Sequence, residues 1–165
     1  MKGIEGKTVL VTGASSGIGQ AIAVRFGEEG ANVAINYLNV EEEAEETKRR
    51  IEGYERCAGE IRESGGEVSL IRADVSDEDD VIRMMRTARE DLGGIDFLVN
   101  NAGIQLSDRS EEMEAGSFDA VLAVNLRGAF LCAREFIRHR LEKNEPGAIV
   151  NVSSVHEIIP KPRFI

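Results

Sequence analysis

Between Thr8-Val9-Leu10-Val11 and a helical pattern beginning at Ile18 lies Thr12-Gly13-Ala14-Ser15-Ser16-Gly17-Ile18-Gly19. Three glycines at a strand-to-helix turn have a chemical use. They permit a tight turn, let a phosphate approach the backbone, and let the helix pack closely on the strand. The N-terminus of the following helix offers unpaired N–H groups and a partial positive charge, which suit an anion. Ser15 and Ser16 add hydroxyl donors. A Gly-rich string alone is weak, but a strand before it and a helix after it make it a dinucleotide-binding turn. Gly19 is followed by Gln20 rather than by Lys and Ser or Thr, so the P-loop of nucleoside triphosphatases is excluded.

A dinucleotide turn has a second signal, an acid about 20 residues on that binds the adenosine ribose. Here that strand end carries Asn36, followed by Tyr37 and Leu38. Asn can hydrogen-bond a ribose hydroxyl, yet lacks the charge that repels a 2′-phosphate. No Arg stands beside it in sequence to attract one. At this point NAD and NADP both remain open.

These residues need a frame, and the apolar pattern supplies one. Thr8–Val11, Ala31–Asn36, Val68–Ile71, Ile95–Val99 and Ala148–Val152 read as five buried strands. Between them, 18–29, 41–64, 77–92 and 118–142 show helical spacing. Gly30 closes the first helix as a C′ glycine. Gly53 and Gly59 interrupt the second, which reads as two helices or one bent one. Strands alternating with helices predict an α/β fold: a Rossmann-type doubly wound parallel sheet of three layers, strand order 3-2-1-4-5. A length of 165 residues fits one domain over the whole chain.

Further motifs follow in order: Asp74-Val75 after the third strand, Asn100-Asn101-Ala102-Gly103 after the fourth, Asn125 within a helix, and Gly147-Ala148-Ile149-Val150-Asn151-Val152-Ser153-Ser154 at the fifth strand. Taken singly, each has a plainer reading. Asn101 and Gly103 could support the sheet, and Asp74 could be a loop acid before a helix. Together with the glycine turn they resemble the short-chain dehydrogenase/reductase family over nearly the whole chain. The resemblance implies cofactor contacts from Gly13, Ser15, Ser16, Gly17, Ile18, Gly19, Asn36, Asp74, Val75, Asn101, Ala102 and Gly103. It implies NAD or NADP as cofactor and an alcohol or carbonyl as small-molecule substrate. Ser154 and Asn125 would be the catalytic serine and the helix Asn of the proton relay. The loop Ser154-Val155-His156-Glu157-Ile158-Ile159-Pro160 is most similar to the glucose 1-dehydrogenases within that family.

Two departures stand out. The family's general acid is a Tyr about thirteen residues after the Ser, with a Lys four beyond it. By that count the Tyr falls near position 167, and the sequence ends at Ile165. Tyr37 and Tyr54 lie in the wrong elements, and neither has a Lys four residues on. The 165 residues are therefore expected to be a fragment with little or no turnover, to lack part of the family's homo-oligomer interface, and to leave the fifth strand as an exposed apolar edge. A non-catalytic NAD(P)-binding module is the alternative. A methyltransferase-like nucleotide domain is disfavoured by the glycine spacing and by Asn100–Gly103. The second departure is a stretch of about ten extra residues, Gly53 to Arg62, which would lengthen a surface helix by about 15 Å.

Composition agrees with this reading. The net charge of −10 and interspersed basic residues argue against a nucleic-acid partner. No window is apolar enough for a bilayer span, so no membrane partner is expected. Cys57 and Cys132 are too few and too far apart for a disulfide framework or a zinc site, and no metal site is expected. Reduced thiols and the lack of a signal-like N-terminus suit the cytoplasm.

Overall fold

The computed structural model describes residues 3–57 and 66–159. Five parallel strands, β1 (Thr8–Val11), β2 (Asn32–Tyr37), β3 (Val68–Arg72), β4 (Phe97–Asn100) and β5 (Ala148–Asn151), form one sheet in the order β3-β2-β1-β4-β5. The helices are α1 (Gly17–Glu28), α2 (Glu41–Cys57), α3 (Glu78–Leu92), α4 (Ala115–Leu122) and α5 (Ala129–Lys143). The predicted sheet order and layering are those observed.

The strands read as continuous apolar runs because both faces of the sheet are covered. Val9, Leu10 and Val11 are all fully buried. Their side chains alternate between two cores. Val9, Val11, Val33 and Ile35 pack with Ala23 of α1 and with Ala44 and Ile51 of α2. Leu10, Ala34 and Leu98 pack with Val81 and Met84 of α3 and with Leu131 and Phe136 of α5. β5 lies at the sheet edge, and Val150 within it is 55% exposed.

The helix ends follow their sequence signals. Gly30 and Gly93 take left-handed φ values of +81° and +76° after α1 and α3. Asp77 caps α3 by accepting from the Asp80 amide.

Three elements differ from the sequence expectation. The fourth strand begins at Phe97 rather than Ile95, since Ile95 N–H is bound by His139 Nε2 at 3.3 Å instead of by a strand partner. The second helix runs unbroken through Gly53 to Cys57, because burial of Ala44 and Ile51 holds its apolar stripe against α1 and the sheet. The remainder of the extra stretch, 58–62, lies outside the described residues. The expected single helix 118–142 is two α-helices joined by a π-helical turn, Ala123–Gly128. Gly128 ends that turn where a Cβ would stand 2.9 Å from Val75 Cγ2 and 3.1 Å from Val75 O. Among the described residues no helix is long and apolar enough to cross a membrane, and no group of three or more His, Cys, Asp or Glu is placed to hold a metal.

Candidate functional site

The β1–α1 turn owes its path to two of its three glycines in different ways. Gly13 has φ +61°, and a Cβ there would lie 2.9 Å from Ala102 Cα. A Cβ on Gly19 would lie 2.4 Å from both Asn101 Nδ2 and Gly13 O. Neither position admits a larger residue without moving backbone. The turn thus lies close against the Asn101–Ala102 backbone, and it leads into the start of α1, the kind of helix end that accepts an anion.

Four polar side chains hold this turn against its neighbours. Thr12 Oγ1 accepts from the amides of Asn101 and Ala102, at 2.9 and 3.0 Å, and donates to Val99 O. Asn101 Nδ2 returns two bonds, to Thr12 O at 2.9 Å and Gly13 O at 3.1 Å. The Asn-Asn-Ala-Gly loop is therefore clamped to the glycine turn from both sides. Asn36 lies 2% exposed at the back of the turn. Its Oδ1 accepts from Gly13 N at 3.1 Å, while Nδ2 donates to Ala73 O at 3.0 Å and Ile71 O at 3.3 Å. Thr47 of α2, fully buried, places its hydroxyl 3.0–3.2 Å from the carbonyls of Ala14, Ser15 and Glu43 and accepts from Gln20 Nε2.

In front of this frame is a cleft of about 500 Å³, within the size range of small-molecule and cofactor sites. Every residue expected to contact the cofactor lines it except Gly17. Its far end is built by Tyr37, Leu38, Asn39, Val40 and Glu43. Burial and the neighbouring Glu41 carboxylate, which takes a hydrogen bond from its hydroxyl, raise the Tyr37 phenol above its ordinary range. Asp74 closes a local turn: its Oδ1 accepts from the amide and hydroxyl of Ser76, at 2.8 and 2.7 Å. Val75 and Ala102 are shared with a second cleft of about 430 Å³.

That second cleft lies between the π-helical turn and the end of β5, with Asn125, Asn151 and Ser153 in its wall. Asn125 makes a two-point bond to one residue, accepting from Ile104 N at 2.8 Å and donating to Ile104 O at 2.9 Å. Its side chain is thus committed to fixing the loop after β4. Ser154 does not line the cleft. It caps the short turn Val155–Glu157, its Oγ accepting from His156 N at 3.2 Å. Cys132, in the floor, is almost fully buried, and burial pushes its thiol up to about 12.

The sequence reading gave no role to Thr12, Gln20, Glu43 or Thr47. Thr47 was detectable: with Ala44 and Ile51 it completes an i, i+3, i+7 stripe, and a Thr on a buried stripe must bond something. Glu43 carries no such signal, because it reads as one acid in the run Glu41-Glu42-Glu43.

Comparison with known proteins agrees with this geometry. A family model described as short chain dehydrogenase matches residues 7–165. The 3beta-hydroxysteroid dehydrogenase 1 of Eggerthella lenta is 45% identical over 161 residues, covering 98% of this chain and 58% of that protein. The glucose 1-dehydrogenase of Gluconobacter oxydans is 44% identical, covering 97% of this chain and 56% of that protein. Among solved structures, a short-chain type dehydrogenase/reductase from Mycobacterium marinum superposes with a TM-score of 0.87 at 31% identity, covering 98% of this chain and 62% of that one. NAD+-bound xylitol dehydrogenase gives a TM-score of 0.84 at 33% identity, covering 98% and 58%. The chain spans just over half the length of the curated relatives it matches. The glycine turn, its clamped Asn-Asn-Ala-Gly loop and the five-stranded order are the physical content of that match: this chain belongs to the short-chain dehydrogenase family.

Proposed function

We propose that these residues form the dinucleotide-binding part of an oxidoreductase that acts, with NAD or NADP, on an alcohol or carbonyl substrate. The observation that carries the reading is the glycine turn packed against the Asn-Asn-Ala-Gly loop at the edge of the cleft: a Cβ at Gly13 would meet Ala102, and one at Gly19 would meet Asn101 and Gly13 O. When bound, the nicotinamide supplies the hydride chemistry. The chain's own residues bind and orient. The α1 amides with Ser15 and Ser16 receive the pyrophosphate, and Asp74 and Val75 flank the adenine end. Asn101, Ala102 and Gly103 carry the ligand toward the second cleft. Asn36 and Asn125 act as positioning residues through Gly13 and Ile104, since their side chains are occupied there. Ser154, at the end of β5, would turn its hydroxyl to the substrate oxygen and stabilise the charge developing there.

The names of the relatives share one chemistry, a carbon bearing a hydroxyl on a sterol, a sugar or a polyol. Glucose or a similar polyol is the substrate that the loop from Ser154 favours. Phe118, Leu122, Leu126, Phe130, Ile137 and Leu141 are large apolar side chains left exposed from α4 through α5, which supports a homo-oligomer. A reduced, buried Cys132 suits a cytoplasmic setting.

Isothermal titration of the purified chain with NADH tests the proposal. One saturable site is expected, with affinity reduced at least about tenfold in Gly19→Ala, because the added methyl displaces Asn101 or Gly13. Circular dichroism of the variant checks that it folds. A wild-type chain that binds neither NADH nor NADPH overturns the reading.

A further inference from the structure

The two nicotinamide cofactors differ in charge at the adenosine end. NADP differs from NAD by a phosphate on the adenosine 2′-oxygen. A site for that phosphate presents Arg, and a site for the free hydroxyl presents an acid. The two residues that end β2 are already engaged here. Asn36 is buried, with its amide bonded to Gly13, Ile71 and Ala73, and Tyr37 gives its hydroxyl to Glu41.

Among the described residues, those that line the far end include one carboxylate, Glu43, and no Lys or Arg lines the cleft. Two other acids, Glu41 and Glu42, share the first turn of α2 with it. The Glu43 backbone lies close to the glycine turn. The Thr47 hydroxyl, one helical turn on, is 3.0 Å from both the Glu43 and the Ser15 carbonyl and shares its one proton among them. The neighbouring cations are held by protein groups. Arg72 Nε donates to Leu38 O at 3.0 Å at the margin of the far end, and Arg72 is not among the described residues that line the cleft. Arg50 is bonded to Glu46 at 3.1 Å and to Gln20 at 3.1 Å.

From this juxtaposition we infer that the chain binds NAD in preference to NADP, and that Glu43 on α2, rather than a residue of β2, is the discriminating carboxylate. The inference rests on the dinucleotide reading given above. The carboxylate accepts a hydrogen bond from the ribose hydroxyl and repels a dianionic phosphate.

Fluorescence titration of the full chain with NADH and with NADPH, at low and high salt, tests it. NADH is expected to bind about tenfold or more tighter at low salt, with the gap narrowing as salt screens the repulsion. Glu43→Gln keeps a hydrogen-bonding side chain and removes the charge at an exposed position. It should tighten NADPH about fivefold or more while moving NADH by less than about threefold. Equal affinity for the two cofactors in the wild type, or a Glu43→Gln variant that shifts both alike, overturns the inference and leaves the dinucleotide reading standing. Binding of neither cofactor overturns both.

Discussion

Asn36 accepts from Gly13 N and donates to the carbonyls of Ile71 and Ala73, joining the ends of β1, β2 and β3 with one amide. Only an amide can do this, because the site needs an acceptor on one side and donors on the other. A carboxylate there would set an acceptor against two carbonyl oxygens. Asn36→Asp is therefore expected to destabilise the fold by about 2–4 kcal/mol, although it restores the acid usual for a dinucleotide site. Urea unfolding followed by circular dichroism checks this, and an unchanged midpoint would show that the amide bonds contribute little. The reason Asn36 reads from sequence as a ribose ligand is positional. Its place at a strand end is legible, whereas the direction of its side chain depends on how β3 and the glycine turn close around it.

At the scale of elements, α5 is held to the segment just before β4 by a buried imidazole. His139 is 1% exposed, and its Nε2 accepts from Ile95 N, which places the neutral ring's proton on Nδ1. Burial first, then the charges of Arg89, Lys143 and Arg140, hold its pKa below the ordinary value, with Glu142 acting in the opposite sense. A depressed folded-state value means that protonation favours unfolding. The stabilisation is complete above the unfolded value of about 6.5 and is lost as pH falls through the lower folded one. His139→Gln should therefore lower stability at neutral pH and flatten its dependence below about pH 6.5. Urea midpoints across that range check it, and parallel profiles for the two proteins would contradict the assignment. The π-helical turn between α4 and α5 belongs to the same scale. Its apolar residues keep helical spacing, so periodicity alone joins 118–142 into one helix. What opens the turn is tertiary: Gly128 sits against Val75, and Asn125 is drawn to Ile104. A mid-helix Asn signals that something is there without saying what.

Across the whole molecule, the parts that were legible are those with local causes. The five strands declare themselves as apolar runs because both faces of the sheet are buried, and their order is that of the dinucleotide-binding fold that the glycine turn announces. The glycine turn is legible because its conformation and closeness admit little else. What stays hidden is pairing at a distance: Thr47 beneath the turn, Glu43 beside the cleft, His139 behind β4. All three depend on which helix face meets which loop. The central claim is that one end of this sheet forms a dinucleotide site whose floor is the β1–α1 turn. Amide NMR spectra of the labelled chain, recorded during addition of NADH, test it most directly. Saturable shifts are expected at 13–19, 36–43, 73–75 and 101–104, with little change at the α3–α5 face around His139. Shifts scattered over the surface, or absent at the glycine turn, would contradict it.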